Sequence, residues 1–230
     1  MQNMLLQYLN ERLKPKIARP VVPGPVITIS RECGCSGRLV AKILTEKINN
    51  KYKEEGKHIE WKWVGKEVLS LASHELRMQP QKIKSLFEAH EKNYFEELVS
   101  SFTESFYGQN EMVKNVIGDV IRKIAVDGHT IIVGRGSCAI ARDIKKSLHI
   151  NLEAPLSWKA AKISQKSGIS LAEARKHVLE VDKQRYNFRD HFRGKNNDDN
   201  CFDVSFNCKH LTSEEIAEMI FRLAESRQLL

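Results

Sequence analysis

The sequence predicts an α/β fold in which helices cover both faces of a parallel sheet of about five strands. Short apolar segments alternate along the chain with longer segments of helical period, and this alternation indicates strands joined by helices. The composition agrees, since 41% hydrophobic residues together with 12 glycines in 230 residues are typical of a globular chain that can bury its own core.

Charge and composition limit the function classes. The formal net charge is +8, but the basic residues are spread widely, which favours a solvated surface or an acidic small-molecule ligand over a specific nucleic-acid partner. No apolar run approaches the ~18 residues of a membrane span, so no membrane association is expected. Five cysteines argue against a disulfide framework and indicate a cytoplasmic location.

The first element is an N-terminal helix or arm over residues 1–20. Its apolar residues recur at helical spacing, and it lacks the basic start and the cleavage site of a signal peptide. We expect it to pack on the body of the protein or on a neighbouring subunit of a homo-oligomer. Prolines between residues 15 and 25 then form an irregular connector.

The main domain, residues 21–230, supplies the sheet. We predict strands at 26–29, 58–64, 129–133, 148–152 and 202–206. Helices are predicted from residue 38, through most of 66–126, at 156–166, after a capping box at Ser170 and Glu173, and at 213–227. Ligands of such folds bind at the carboxyl ends of the strands, so the loops that follow the strands carry the candidate site.

The loop of residues 30–38 follows the first strand. Its glycines, Gly34 and Gly37, would let backbone N–H groups approach a phosphate at the start of a helix. A plain strand-to-helix turn is the alternative, because the pattern G-x-x-x-x-G-K-[ST] is not satisfied. With Gly37 as its second glycine, Arg38 takes the lysine position and Leu39 the hydroxyl position.

A second glycine-bearing loop, residues 134–139, follows the third predicted strand. It fits G-x-G-x-x-A, and Glu153 lies 19 residues after Gly134, which is the outline of a dinucleotide-binding fingerprint and of an oxidoreductase. A plain turn is one alternative. A turn that presents Arg135 to a phosphate-bearing substrate is the other.

A basic segment near residues 168–200 carries Arg185, Arg189 and Arg193, which are four residues apart and would share a helical face. Tyr186, Phe188 and Phe192 would anchor the other side. Such a stripe is either a solvated face or a mobile cover that closes over phosphates, and arginine's planar fork favours the second interpretation.

Four short motifs, in this order, resemble the cytidylate kinase-like proteins, a branch of the nucleoside monophosphate kinases. ITISRECGCSGR at 27–38 resembles the family's ITISRExGSGGR, and IVGRG at 132–136 resembles its IVGRG. DKQR at 182–185 resembles its D-K-x-R lid segment, and FDVSFN at 202–207 resembles its YDL-x-x-N strand. The resemblance covers about residues 26–220.

The resemblance implies a P-loop NTPase-type three-layer fold with a helical monophosphate-binding insert at about 66–126 and a lid at about 168–200. It implies transfer of the γ-phosphoryl group of ATP, with Mg²⁺, to CMP, dCMP or a related nucleotide. The implied catalytic residues are Arg38, Arg135, Arg185 and Asp182, with Asp182 orienting the lid. The implied ATP-binding positions are Ser30, Gly34, Cys35, Ser36, Gly37 and Arg38. From spacing alone, Arg189 and Arg193 join Arg135 at the substrate. No residue is assigned to a metal, and Asp203 is expected to brace the sheet.

Departures from the family pattern support a second hypothesis, a catalytically silent nucleotide-binding or sensing module. Without gaps, Gly37 falls in the lysine slot and Leu39 in the threonine slot of the loop GPSGAGKGT of cytidylate kinases. Gly65 stands where the family often has an aspartate. Cys33 and Cys35 replace the usual Tyr and Ser, and this pair could make the loop sensitive to oxidation.

Overall fold

A computed structural model describes residues 23–65, 68, 111–193 and 201–230 of the chain. The predicted N-terminal helix, most of the predicted insert and the end of the predicted lid lie outside these residues. The described helices and strands are β1 (Val26–Arg31), α1 (Gly37–Glu54), β2 (Lys62–Val64), α2 (Glu111–Asp127), β3 (Thr130–Val133), α3 (Ser137–Ile140), β4 (Ser147–Glu153), α4 (Leu156–Ser167), α5 (Leu171–Asp190), β5 (Val204–Asn207) and α6 (Ser213–Ser226).

The strands form one five-stranded sheet in the order β2-β3-β1-β4-β5, and all four pairings are parallel. This confirms the predicted fold class. The central strand β1 is two residues longer than predicted, because Ser30 and Arg31 stay paired with Asn151 and Leu152 of β4. The strand predicted at 58–64 is shorter and that at 202–206 is shifted, since only 62–64 and 204–207 pair with a neighbour.

Two apolar layers cover the sheet. Successive β1 side chains point to opposite faces, so Ile27 packs in the layer of α1 and α6 while Val26 packs with α2 and α3. The buried Phe188 brings the end of α5 into this second layer. Among the described residues, no helix is both long and apolar enough to cross a bilayer.

A buried polar network joins β1, β4 and β5. His149 is 7% exposed, its Nδ1 lies 2.8 Å from Thr28 Oγ1 and its Nε2 lies 3.0 Å from Ser147 Oγ. The backbone N–H of His149 donates to Asp203 Oδ2 at 2.7 Å, and Arg227 forms an ion pair with the same carboxylate at 3.0 Å. Asp203 therefore braces the edge of the sheet, as the sequence predicted.

This network predicts a loss of stability in weak acid. Burial lowers the pKa of His149, and Arg227 and Arg142 lower it further while Asp203 opposes them. The histidine of the unfolded chain, with a pKa of ~6.5, therefore binds a proton more tightly than His149 of the folded protein. The free energy of unfolding should therefore fall as pH drops below about 6.5, by up to ~1.4 kcal/mol per pH unit for one group, and level off below the folded pKa.

Denaturant unfolding at a series of pH values measures this slope. Burial also lowers the pKa of His129 and His177, so His149→Gln should flatten the profile in part and not completely. Parallel profiles for the wild type and His149→Gln would show that His149 does not carry the dependence.

Candidate functional site

The loop between β1 and α1 lies at the carboxyl edge of the sheet, next to the turn that follows β3. Gly34 has a φ of +82°, which only glycine adopts at little cost, and its Cα faces the backbone of Lys159. Ser36 is the N-cap residue of α1, and its side chain makes no capping hydrogen bond. The first turn of α1 therefore faces the edge where ligands of such sheets bind.

Several of the predicted ATP-binding residues make hydrogen bonds or close contacts within the protein. The N–H of Cys35 donates to the Glu32 carbonyl at 3.2 Å, and the N–H of Gly37 donates to the Cys35 carbonyl at 3.0 Å. Ser30 Oγ points to Cys138 Sγ of α3, at 3.7 Å. The N–H groups of Cys35 and Gly37 are thus bonded within the loop, and the six predicted ATP-binding positions stay a prediction.

A buried lysine that the sequence analysis missed holds the loop in place. Lys159 is 6% exposed, and its Nζ lies 2.8 Å from Glu32 Oε2 and 2.8 Å from Asp182 Oδ2. Burial alone would lower the pKa of Lys159, but the hydrogen bonds to Asp182 and Glu32 outweigh it and raise the pKa. The charged lysine thus joins three segments: the loop, α4 and α5.

Both carboxylate partners of Lys159 also accept backbone hydrogen bonds. Asp182 Oδ1 accepts from the N–H of Cys33 at 2.6 Å, and Glu32 Oε2 accepts from the N–H of Ala154 at 3.1 Å. Both carboxylate oxygens of Asp182 thus accept hydrogen bonds within the protein, and its predicted role in catalysis stays a prediction. The sequence does indicate that Lys159 is buried, because helical periodicity places it on the apolar face of α4 beside Ala160.

Arg31 lies near three other arginines of the loop, the turn after β3 and α5. Burial lowers the pKa of Arg31, and Arg185, Arg135 and Arg38 lower it further by repulsion. Arg185 Nη1 also donates to the Arg31 carbonyl at 3.2 Å, which fixes α5 beside β1. The structure therefore brings together three predicted residues, and it adds Arg31, which the sequence placed only in a motif.

The turn after β3 has an unusual backbone. Gly134, Arg135 and Gly136 all have positive φ, of +74°, +61° and +71°. A non-glycine residue in this region stores strain, and such residues cluster at functional sites. In a dinucleotide-binding fingerprint, a long helix follows the glycine-rich turn. Helix α3, which follows the turn here, has only four residues. The geometry favours the turn that presents Arg135.

The predicted arginine stripe is divided. Helix α5 ends at Asp190, so Arg193 lies beyond the helix and forms an ion pair with Asp190 at 4.0 Å. Arg189 lies over the rings of Tyr186 and Phe202, at 5.4 and 4.9 Å. Tyr186 is 48% exposed and does not anchor the opposite side as expected, whereas Phe188 is buried. Arg185 of the stripe lies close enough to Arg31 to repel its charge.

The five cysteines are free thiols in different surroundings. Cys33 packs against Val178 and Val181 of α5, whereas Cys35 lies in the main core and contacts Cys208. A second contact joins Cys138 Sγ and Cys201 Sγ at 2.9 Å. The Cys33 and Cys35 side chains thus lie in different apolar clusters, and each of the two sulfur contacts joins distant parts of the chain.

We expect a thiol oxidant such as diamide to crosslink Cys138 with Cys201. The hydrogen bond from Cys138 lowers the pKa of Cys201 to about 7, so a large fraction is thiolate at neutral pH. The two thiols would lose two protons and two electrons to diamide, which becomes the hydrazine, as the sulfur–sulfur bond forms. Peptide mapping without reductant measures the link. Cys138→Ser should abolish it, and a link dominated by Cys33 and Cys35 would contradict the prediction.

A pocket of about 290 Å³ opens beside the loop. It is lined by Ser36 and Val40 of the first turn of α1, by Lys162, by Ile216 and by residues 208–213 between β5 and α6. The lining combines apolar side chains with hydroxyl, imidazole and ammonium groups, a mixture that suits a planar polar ligand.

No cluster of three or more His, Cys, Asp or Glu side chains in the described segments could hold a metal ion. Glu32 of the loop and Asp182 of α5 both form ion pairs with Lys159.

Comparisons with known proteins agree with this geometry. A model of the cytidylate kinase-like family matches residues 26–210. The structure of an uncharacterized protein from Eubacterium ventriosum is similar with a TM-score of 0.57 at 20% identity, covering 88% of this chain and 98% of that one. Shikimate kinase from Acinetobacter baumannii is similar with a TM-score of 0.50 at 11% identity, covering 91% and 97%. No curated protein sequence matches the chain significantly.

Proposed function

The chain belongs to the cytidylate kinase-like family and has the fold of P-loop kinases, and from this premise we propose that it transfers the γ-phosphoryl group of ATP to a nucleoside monophosphate, with CMP and dCMP as the first candidates. The observation that carries the proposal is the group of four arginines at the loop, the turn after β3 and α5, in which Arg185, Arg135 and Arg38 all repel the charge of Arg31. Arginines so placed can neutralise the charge that develops during phosphoryl transfer.

The donor nucleotide fits the region of the loop and its pocket. The backbone around Gly34, Ser36 and Arg38 lies at the start of α1, where the helix dipole attracts phosphate. The pocket beside Ser36 has room for a planar base next to these phosphates. Mg²⁺ would enter on the ATP phosphates and offset their charge.

The acceptor nucleotide is proposed to bind on the side of the turn after β3. Arg135 would hold the acceptor phosphate, and Arg185 would contact the phosphoryl group from α5. An acceptor oxygen forms a bond to the γ-phosphorus while the bond to the β–γ bridging oxygen breaks, and that oxygen leaves with its electron pair on ADP. The protein contributes position and charge without a covalent intermediate.

The second candidate is a nucleotide-binding or sensing module without turnover. The observation that favours it is the loop itself, where Leu39 provides no hydroxyl and the N–H groups of Cys35 and Gly37 are bonded within the loop. Such a module would keep the arginines as ligands for phosphates and would bind nucleotide without consuming it.

Calorimetric titration followed by an ADP-release assay tests the two candidates. The protein is titrated with ATP and Mg²⁺, then with CMP, dCMP, AMP, UMP and GMP, and any monophosphate that binds is assayed for ADP formation. Binding of one monophosphate with stoichiometric ADP release is the expected result. Binding without ADP release would support the sensing module, and the absence of any nucleotide binding would refute both.

A further inference from the structure

Arg31 connects the two loops of the candidate site. It is the last residue of β1, and its Cγ lies 3.4 Å from the position that a Cβ on Gly37 would take. Its guanidinium lies over Gly134, so closely that a methyl group at Gly134 would overlap Nη1. The side chain thus runs from the start of α1 to the turn after β3, and its charge lies between the proposed donor and acceptor sides.

The surroundings of Arg31 are basic. Arg185, Arg135 and Arg38 all repel its charge, and in the part of the chain that the structure describes no carboxylate forms an ion pair with it. Glu32, the next residue, is bound to Lys159 instead. An anion placed against the Arg31 guanidinium would relieve the repulsion, and the planar fork suits two oxygens of one phosphoryl group.

The start of α1 has no lysine to supply this charge. Gly37 and Leu39 flank Arg38, whose side chain is exposed on the first turn, whereas the Arg31 guanidinium lies inside the space between the two loops. We propose that Arg31, and not Arg38, supplies the positive charge at the phosphoryl group in transfer. The proposal rests on the proposed function for the reaction step. The proposal that Arg31 binds an anion depends only on the position of its guanidinium and not on the reaction.

Arg185 supports this assignment by fixing the Arg31 backbone. Its Nη1 donates to the Arg31 carbonyl, and Asp182, one turn earlier on α5, accepts from the N–H of Cys33. Two side chains of α5 thus form hydrogen bonds with the backbone at the end of β1 and just after it.

The test compares Arg31→Met, Arg31→Lys and Arg38→Met, with Arg175→Met as a control on an exposed part of α5. Calorimetry with inorganic tripolyphosphate measures the anion site, steady-state kinetics with the acceptor found above measures kcat and KM, and thermal unfolding checks the fold. We expect Arg31→Met to weaken tripolyphosphate binding tenfold or more and to lower kcat about 100-fold with a smaller change in the KM for the acceptor. Arg31→Lys should retain more tripolyphosphate affinity and a higher kcat than Arg31→Met. Arg38→Met should reduce both quantities less than Arg31→Met does, and Arg175→Met should have the wild-type affinity and kcat.

The outcomes separate this proposal from the proposed function. Wild-type turnover that persists in Arg31→Met, or a larger loss in Arg38→Met, would overturn the role of Arg31 and leave the kinase intact. Tripolyphosphate binding that depends on Arg31, in a wild type that forms no ADP, would refute the kinase and keep the anion site. A wild type that binds no tripolyphosphate would overturn the anion site.

Discussion

Replacing Lys159 with methionine is expected to lower the free energy of unfolding by about 3 kcal/mol, at the lower end of the cost of removing one partner from a buried ion pair. Methionine replaces the apolar stem of the lysine side chain but leaves Glu32 and Asp182 facing each other without the cation between them. We expect a loss at the lower end of this range because the Glu32 side chain is 36% exposed, so water screens part of the repulsion between the two carboxylates.

Thermal and denaturant unfolding measure this loss. For a chain of this size it corresponds to a decrease in Tm of roughly 6–12 °C. Lys166→Met is the matched control, since Lys166 lies in the last turn of the same helix and is exposed, and it should change stability by less than ~0.5 kcal/mol. A loss for Lys159→Met as small as for Lys166→Met would show that the lysine does not hold the loop.

A second variant separates the ion pair from packing. Asp182→Asn in the Lys159→Met background removes one of the two stranded carboxylates, so we expect the double variant to lose less stability than the sum of the single losses. Additive losses would assign the effect of Lys159→Met to packing alone. Tripolyphosphate affinity should fall with Lys159→Met in the folded protein, because the loop position depends on the bonds from Lys159 and Asp182.

The sheet could be predicted because its signal is local. Each central strand is a short apolar run between helices, and the structure confirms the five parallel strands. The residue at which a strand ends, however, depends on pairing with a strand that is distant in sequence. Ser30 and Arg31 belong to β1 because β4 continues beside them to Leu152, and a charged residue after an apolar run gives no sign of this pairing. Arg31 was therefore assigned to the loop, and its position between the two turns was missed.

The candidate site was harder to predict because its contacts join residues far apart in sequence. Glu32 and Lys159 are separated by 127 residues, and Cys138 and Cys201 by 63. Helical periodicity places Lys159 on the apolar face of α4, but it cannot name the carboxylates that make this burial stable. The same periodicity placed Arg193 with Arg185 although the helix ends between them at Asp190, since spacing does not show where a helix stops.

Gly134→Ala is expected to weaken tripolyphosphate binding tenfold or more without removing any charge from the protein. A Cβ on Gly134 would overlap Nη1 of Arg31, and the guanidinium, as the far end of a flexible side chain, would move away more easily than the backbone. The φ of +74° adds a backbone cost of about 1–2 kcal/mol for a residue with a Cβ.

Gly168→Ala separates these two effects. Gly168 has a φ of +68°, but no heavy atom lies within 4 Å of its would-be Cβ, so alanine there carries the backbone strain and displaces nothing. Both variants should lose similar stability in denaturant, and only Gly134→Ala should lose affinity for the polyanion in calorimetry. If the two variants bind tripolyphosphate equally well, the position of the Arg31 guanidinium over the turn is not what binds phosphate. If Gly134→Ala alone loses affinity while all its arginines remain, then the site depends on where that charge is held, because the charge itself is unchanged.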